Sequence, residues 1–194
     1  AEVAQDIGVD LAASDVRVTV HAGEPGASIP GTKRRIEDAW GASCFDHAGA
    51  TEVGAWGFEC AAHDGLHLNE AEFICEVIDP KTGRAADEGE LVITNLGRAG
   101  MPVIRYRTGD HVRLAAGVCE CGRTFRRLER GVIGRIDDAL LVRGVVVFPS
   151  AVESIVRRFE GVGEFAIHAR RDGELDSLEV HIEADSEATS DAVS

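Results

Sequence analysis

The chain has 194 residues, of which 44% are hydrophobic and 28% charged, and its formal net charge at pH 7 is -14. A chain of this size can bury one ordinary core, or one core and a smaller second lobe. The acidic surface argues against nucleic acid and anionic membranes as partners, because neither offers counterions that a polyanion would release. There is no apolar run of membrane-spanning length, and residues 1–10 lack the features of a secretion signal, so we expect a cytoplasmic protein.

The first part of the chain predicts alternating helices and strands. Four elements are predicted in its first 52 residues: the end of a helix over 1–13, a strand over 16–20, a helix over 28–40, and a strand that ends in the turn 47–52. The strand over 16–20 is predicted because valines alternate with polar residues there. The helix over 28–40 is predicted to begin near Pro30 or Thr32 and to stop at Gly41, since proline suits a first turn and glycine a C-terminal cap.

The middle of the chain predicts more strands. Residues 73–78 and 90–95 are two of them, and a turn at 79–83 separates them. Residues 102–114 predict a further pair of strands, which the polar motif Arg105–Asp110 interrupts.

The pattern changes near Arg135, and a smaller lobe is predicted beyond it. Residues 140–148 are almost wholly apolar and predict two short strands folded about Gly144. A capping box at 150–153 predicts the start of a helix, and a hairpin follows it. We therefore predict an α/β (α+β) chain whose last part is a β-β-α-β-β lobe, with domains at 1–136 and 137–194.

The motif Arg-Tyr-Arg-Thr-Gly-Asp at 105–110 places two guanidinium groups, a phenol and a carboxylate around one glycine. Arginine binds phosphate with paired donors, and a carboxylate accepts hydrogen bonds from two neighbouring hydroxyls. The motif therefore suits a ligand with a diol and phosphates. The alternative is a solvated hairpin that carries surface ion pairs.

A second motif, Gly-Ala-Thr-Glu at 49–52, places a hydroxyl beside a carboxylate on a turn. Such a pair can hold a phosphate oxygen and a Mg²⁺ ion, because Mg²⁺ prefers one or two carboxylates together with phosphate oxygens. The alternative is a helix cap, since threonine and glutamate are common at helix starts.

The order of the motifs is more specific than any one of them. The motifs are, in chain order, Ala22–Pro25, Gly49–Glu52, Gly89–Thr94, Arg105–Asp110 and Gly134–Pro149. This order resembles the adenylate-forming acid–coenzyme A ligases, and most closely their phenylacetate–coenzyme A ligase branch. Residues 102–110, 134–138 and 143–150 carry the resemblance to the branch, which extends from about Val16 to Ile182.

The resemblance implies both a fold and a reaction. The fold is the C-terminal part of the large adenylate-forming domain, with a mixed sheet and a small β-barrel-like region, followed by the small mobile lobe. The reaction has two steps: a carboxylate, aryl or arylacetic in this branch, attacks the α-phosphate of ATP, and the thiol of coenzyme A then displaces AMP from the acyl-adenylate. Catalysis of the first step is mostly positioning and charge neutralisation.

The resemblance also implies residue roles at the nucleotide. Asp110 would accept both ribose hydroxyls, Thr51 would bind the α-phosphate, and Glu52 would hold Mg²⁺. The remaining residues expected to border the nucleotide are Gly23, Glu24, Pro25, Ala48, Gly49 and Arg107.

At the junction of the domains, Arg135 would touch ribose or phosphate, and Asp137 would be the hinge of the small lobe. Arg143 and Gly144 would approach the active site for thioester formation. A glycine at such a position allows close backbone approach.

The chain departs from the family pattern in three places. Ala48 stands where such enzymes usually have tyrosine, so an aromatic wall would have to come from elsewhere, with Trp56 as the candidate. The phosphate loop expected upstream is absent, and so is the lysine expected near the far C-terminus, because the only lysines are Lys33 and Lys81. We therefore expect a middle and hinge portion of a longer enzyme that is inactive in adenylation alone.

The chain has five cysteines, and an odd number without an export signal argues against a disulfide framework. The candidate zinc ligands are Cys60, His67, Cys119 and Cys121, with His63 as the alternative ligand. They would form a closed Cys₃His site of structural type, and the Cys-x-Cys-Gly run at 119–122 is similar to zinc sites in some members of this ligase branch. The alternative is that Cys60 and residues 65–67 are ordinary parts of the fold. Cys44 and Cys75 lie in apolar segments and are predicted to be buried thiols.

Three functions follow from these observations. The first is an enzyme portion that binds ATP, coenzyme A and a small carboxylic acid, with a homodimer left open. The second is a non-catalytic remnant that binds a nucleotide or a partner. The third, a zinc-ribbon nucleic-acid protein, rests only on Cys-x-Cys and conflicts with the acidic charge.

Overall fold

The structure is a computed structural model, and it describes residues 2–23, 26–159, 161–172 and 175–184. Glu24 and Pro25, which are expected to border the nucleotide, therefore lie outside the described residues. The chain forms two compact units, residues 1–133 and 134–194. Within the described ranges, no helix has the length and apolar character needed to cross a membrane.

The first unit is built on one large sheet. Its elements are α1 (Glu2–Asp6), β1 (Val18–His21), α2 (Pro30–Trp40), β2 (Ser43–Ala50), β3 (Gly54–Glu59), β4 (Leu66–Leu68), β5 (Phe73–Ile78), β6 (Glu88–Asn95), β7 (Tyr106–Leu114) and β8 (Arg127–Arg135). The eight strands lie in the order β1-β2-β3-β4-β8-β7-β6-β5. The β1–β2 pair is parallel, with α2 as its crossover, whereas β2–β3, β3–β4, β4–β8, β5–β6 and β6–β7 are antiparallel. The sheet is thus mixed, as predicted.

The second unit is the predicted β-β-α-β-β lobe. Its elements are β9 (Leu140–Val142), β10 (Val145–Val147), α3 (Pro149–Val156), β11 (Val162–Asp172) and β12 (Leu175–Ala184). The β9–β10 and β11–β12 pairs are antiparallel hairpins. The fold class predicted from the sequence, a mixed α+β chain, is confirmed.

One apolar cluster forms the core of the first unit. Its buried members are Val53, Trp56, Leu66, Leu68, Phe73, Cys75, Val77, Leu91, Ile93, Val112 and Leu128. Each large apolar side chain buried in this way contributes about 1.5–3 kcal/mol. Trp56 is only 2% exposed within this cluster, so the expectation that it lines a ligand pocket is wrong. The buried thiols predicted at Cys44 and Cys75 are confirmed, at 0% and 3% exposure.

Helix α2 begins and ends where the sequence predicted. Pro30 lies in its first turn, and Gly41 is the C-cap at φ 60°, with its N–H donating to the Glu37 carbonyl at 2.8 Å. Glycine is favoured there because the left-handed conformation costs it little.

Three local predictions were wrong. The helix predicted over 1–13 is limited to α1. Residues 102–114 hold one strand, β7, rather than a pair. The capping box at 150–153 is not formed, because α3 starts at Pro149 with Phe148 as its N-cap and has no side-chain cap hydrogen bond. Proline fits the first helical position, so it moves the helix start toward the N-terminus.

Candidate functional site

The turn between β2 and β3 presents Thr51 and Glu52 side by side, and both are exposed. Val53, the next residue, is 0% exposed and anchors the turn in the core. A Cβ on Gly49 would lie 3.0 Å from the Gly54 carbonyl oxygen. The glycine therefore permits the close approach of β2 and β3 at the base of this turn.

The Arg-Tyr-Arg-Thr-Gly-Asp motif forms a bulge within β7. Val92 of β6 pairs with Arg107, and Glu90 pairs with His111, so the register shifts between them. Gly109 lies in this bulge at φ 76°, a conformation that favours glycine. The bulge changes the direction in which the side chains after Arg107 point.

Thr108 fixes the backbone of Asp110. The Thr108 hydroxyl is buried; it donates to the Leu91 carbonyl at 2.9 Å and accepts from the Asp110 N–H at 3.0 Å. Asp110 itself is half-buried. The carboxylate predicted as the ribose ligand therefore stands on a backbone that is locked to the neighbouring strand.

Arg107 is engaged with a buried carboxylate. Its Nε donates to Glu90 Oε2 at 2.9 Å, and its Nη2 donates to the same oxygen. Glu90 is only 5% exposed, so an unpaired charge there would be costly. A nucleotide contact by Arg107 stays a prediction.

Two predicted residues of the second unit form an ion pair. Arg135 donates from Nε to Asp137 Oδ1 at 2.9 Å and from Nη2 to Oδ2 at 3.1 Å. The guanidinium lowers the pKa of the Asp137 carboxyl. Asp137, the residue predicted as the hinge, is therefore held by two hydrogen bonds from the Arg135 guanidinium.

The β9–β10 hairpin turns at Arg143 and Gly144. Both have positive φ, at 50° and 80°, as a type I′ turn requires. Arg143 Nε donates to the Asp176 carbonyl at 2.8 Å, which ties this turn to β12. The predicted reversal at Gly144 is confirmed, whereas the role of the turn stays a prediction.

Four side chains converge among the described residues of the first unit: Cys60, His67, Cys119 and Cys121, whose ligand atoms all lie within 4.8 Å of one another. Cys60 follows β3, His67 is on β4, and the other two are in the loop between β7 and β8. Cys60 Sγ is 3.6 Å from Cys119 Sγ, and Cys121 Sγ is 3.4 Å from His67 Nε2. These are the candidate zinc ligands predicted from the sequence, and the fold brings them together.

The surroundings of the quartet are compatible with a metal ion. His67 is 0% exposed, and its Nδ1 lies 3.4 Å from the Phe125 carbonyl, which leaves Nε2 toward the sulfurs. The Arg123 backbone N–H lowers the pKa of Cys121 to about 6, whereas burial raises the pKa of Cys60. Thiolate is the metal-binding form of cysteine.

His63, the alternative ligand, belongs to a different cluster. Its Nδ1 lies 3.1 Å from Glu59 Oε1 and 2.9 Å from Lys33 Nζ. Lys33 Nζ is 2.6 Å from Glu59 Oε1, with side chains 14% and 7% exposed. Glu59 Oε2 also accepts from the Asp46 N–H at 2.8 Å. This cluster was not predicted from the sequence, because Lys33, Asp46 and Glu59 lie on three different elements that only the fold brings together.

The Asp46 carboxyl is expected to make the stability of the fold depend on pH. Burial, followed by the nearby Glu59 charge, raises its pKa. Above the ordinary aspartate pKa the unfolded chain has lost this proton while the folded chain still holds it, so stability falls as pH rises through that window. We expect Asp46→Asn, which can still accept from the His47 N–H (2.9 Å), to flatten this fall in urea unfolding curves measured at several pH values. An unchanged pH dependence would contradict the assignment.

Comparisons with known proteins bear on both units. A family model described as the AMP-binding enzyme C-terminal domain matches residues 144–194. The chain is 37% identical over 183 residues to the phenylacetate-coenzyme A ligase of Pseudomonas putida, covering 91% of this chain and 40% of that relative. It is 36% identical over 189 residues to the phenylacetate-coenzyme A ligase of Escherichia coli strain K12, covering 94% of this chain and 42% of that relative.

The chain is similar over nine tenths of its length to acid–coenzyme A ligases. The resemblance seen in the sequence is thereby confirmed. The chain spans about two fifths of the length of the relatives that it matches.

Solved structures agree with this similarity. A 2-hydroxyisobutyryl-CoA ligase in its postadenylation state, in complex with 2-HIB-AMP, is 32% identical with a TM-score of 0.88, covering 98% of this chain and 42% of that chain. An anthranilate CoA ligase in complex with anthranoyl-AMP is 20% identical with a TM-score of 0.65, covering 91% of this chain and 37% of that chain, and shows the shared fold alone.

Proposed function

We propose that this chain supplies the nucleotide-binding and hinge portions of an AMP-forming acid–coenzyme A ligase. The enzyme activates an aryl or arylacetic acid as an acyl-adenylate and passes the acyl group to coenzyme A. The observation that carries this proposal is the 37% identity to a phenylacetate-coenzyme A ligase over 91% of the chain, because that match extends through the Thr-Glu turn, the β7 bulge and the hinge.

Asp110 accepts the two ribose hydroxyls in this proposal. A carboxylate offers two oxygens, and vicinal hydroxyls offer two donors at matching separation. Thr108 supports this role, because its hydrogen bonds to Leu91 and Asp110 hold the bulge in one conformation. A protein segment that is already rigid loses less conformational entropy when the nucleotide binds.

The β2–β3 turn binds the phosphates. Thr51 donates a hydroxyl to the α-phosphate, and the exposed Glu52 carboxylate fits a Mg²⁺ site that phosphate oxygens complete. When bound, Mg²⁺ neutralises charge on the phosphates. Gly23, Ala48 and Gly49 border the nucleotide with backbone and small side chains, so the aromatic wall usual in such enzymes has no counterpart at position 48.

Arg135, Asp137, Arg143 and Gly144 serve the second unit in the proposal. Arg135 contacts ribose or phosphate from its ion pair with Asp137, which marks the hinge. The tight turn at Arg143–Gly144 approaches the acyl-adenylate for thioester formation, since a glycine at the tip permits close backbone approach.

The quartet of Cys60, His67, Cys119 and Cys121 is proposed to hold a structural zinc ion. Three thiols and one imidazole suit zinc, and no fifth position is required. Tetrahedral Zn–S bonds of about 2.3 Å place sulfurs roughly 3.8 Å apart, close to the 3.6 Å between Cys60 and Cys119. The Phe125 carbonyl near His67 Nδ1 fixes the tautomer that leaves Nε2 for the metal.

Calorimetry with AMP tests the nucleotide role. We expect the wild-type chain to bind AMP at one site and Asp110→Ala to bind at least about tenfold more weakly, because hydrogen bonds to a charged group contribute about 1.5–3 kcal/mol. Asp38→Ala, which removes an exposed carboxylate from α2, is the matched control and should bind as wild type does. Equal AMP affinity of Asp110→Ala and wild type, with both folded by circular dichroism, would refute the role.

A further inference from the structure

The turn that carries Thr51 and Glu52 is held from behind by two side chains that no motif of the sequence singles out. Asn95 Nδ2 donates to the Val53 carbonyl at 2.7 Å. Arg98 Nη1 donates to the Thr51 carbonyl at 3.3 Å and to the Glu52 carbonyl at 2.5 Å. Three successive carbonyls of the turn are thus bound by the end of β6 and the loop after it.

The Asn95 side chain and the backbone that leads to Arg98 are themselves anchored. The Asn95 N–H donates to the Val103 carbonyl at 3.0 Å, and Asn95 Oδ1 accepts from the Gly97 N–H at 2.8 Å. The next residue, Leu96, donates its N–H to the Glu72 carbonyl at 3.0 Å. The base of the loop is therefore fixed by backbone bonds on both sides, and it offers the turn a rigid support.

The orientation of a carbonyl sets the orientation of the peptide that contains it, because the peptide group is planar. Holding the carbonyls of residues 51, 52 and 53 therefore fixes φ and ψ of Glu52 and Val53. The direction in which the Glu52 side chain leaves the turn follows from those angles. Since a misplacement of about 1 Å can cost roughly a hundredfold in rate, such support matters at a phosphate site.

We propose that Arg98, together with Asn95, is a positioning residue for the Thr51–Glu52 turn, where the proposed function places Mg²⁺ and the phosphates of ATP. The effect of Arg98 on phosphate binding rests on the proposed function. Its support of the turn rests on the hydrogen bonds alone. Arg98 also brings a fixed positive charge to the turn, which favours a polyanionic ligand in an otherwise acidic chain.

The test compares Arg98→Ala, Arg98→Lys and the control Arg84→Ala, which removes an exposed guanidinium from the loop between β5 and β6. Two quantities are measured: Mg²⁺–ATP affinity by calorimetry, and hydrogen exchange of the Val53 amide, which donates to the Ala50 carbonyl at 3.1 Å across the turn. We expect Arg98→Ala to weaken Mg²⁺–ATP binding about tenfold and to speed Val53 exchange. Lysine, which keeps a donor and the charge, should restore most of both, and Arg84→Ala should change neither.

Each measurement can overturn the proposal. Unchanged Val53 exchange in Arg98→Ala would show that Arg98 does not hold the turn. Faster exchange with unchanged Mg²⁺–ATP affinity would show that the support has no role in phosphate binding. Failure of the wild-type chain to bind Mg²⁺–ATP at all would instead overturn the proposed function and the chemical part of the inference, while the exchange rates would still decide the structural part.

Discussion

Removing zinc is expected to unfold residues 1–133 or to destabilise them severely. The proposed ligands lie at the end of β3, on β4 and in the loop between β7 and β8, so a bound metal would link parts of the chain up to 61 positions apart, from Cys60 to Cys121. Structural zinc sites bind with apparent free energies of about 10–16 kcal/mol. That is as large as the roughly 5–15 kcal/mol by which a whole domain is stable. Reduced, freshly purified protein should contain one zinc per chain, and a strong chelator should abolish its cooperative melting until zinc is restored.

A pair of variants separates metal binding from the loss of a thiol. Cys119→Ser should lose the zinc, whereas Cys75→Ala removes another buried thiol of the same unit and should keep it. Because Cys119→Ser is expected to fold poorly, chelation of the wild-type protein is the decisive comparison. Zinc-free protein with an unchanged melting curve would contradict a structural role, and zinc retained by Cys119→Ser would contradict the ligand set.

Breaking the Lys33–Glu59 pair is the second change with a large expected effect. Lys33→Met should lower the free energy of unfolding by about 3–5 kcal/mol, because it leaves a buried carboxylate without its counter-charge. Glu59 is 7% exposed at its side chain and accepts both the Lys33 ammonium, at 2.6 Å, and the Asp46 N–H, at 2.8 Å. Urea unfolding followed by circular dichroism measures the loss.

The matched control is an exposed pair in the same unit. Arg113 and Glu88 are 2.8 Å apart with side chains 50% and 42% exposed, and Arg113→Met should lower the free energy of unfolding far less than Lys33→Met does, because solvent screens an exposed pair. The double variant Lys33→Met with Glu59→Gln should recover part of the loss, since it removes the orphaned charge. Equal losses for Lys33→Met and Arg113→Met would contradict the buried character of the pair.

The parts of the fold that could be predicted were set by local chemistry. Pro30 and Gly41 bound α2 because their backbone preferences act regardless of tertiary context. The reversal at Gly144 follows from the same preference for positive φ. The metal quartet could be named from ligand type alone, since few other roles suit two thiols in a Cys-x-Cys run.

The parts that could not be predicted depend on contacts distant in the chain. The β7 bulge arises because the Thr108 hydroxyl bonds to Leu91 of another strand, 17 positions away. Trp56 packs in the core and does not line a pocket, because its position on β3 faces the apolar cluster. The support of the Thr51–Glu52 turn by Arg98 spans 46 positions or more, and nothing in the spacing of arginines indicates it.

The central proposal, that this chain holds a nucleotide at the β2–β3 turn and the β7 bulge, is tested most directly by AMP titration followed by amide NMR. The predicted result is a saturable shift of the amide signals of residues 48–52 and 108–110, lost in Asp110→Ala and kept in Asp38→Ala. Saturable shifts confined to other parts of the chain, or no shift at millimolar AMP, would contradict it.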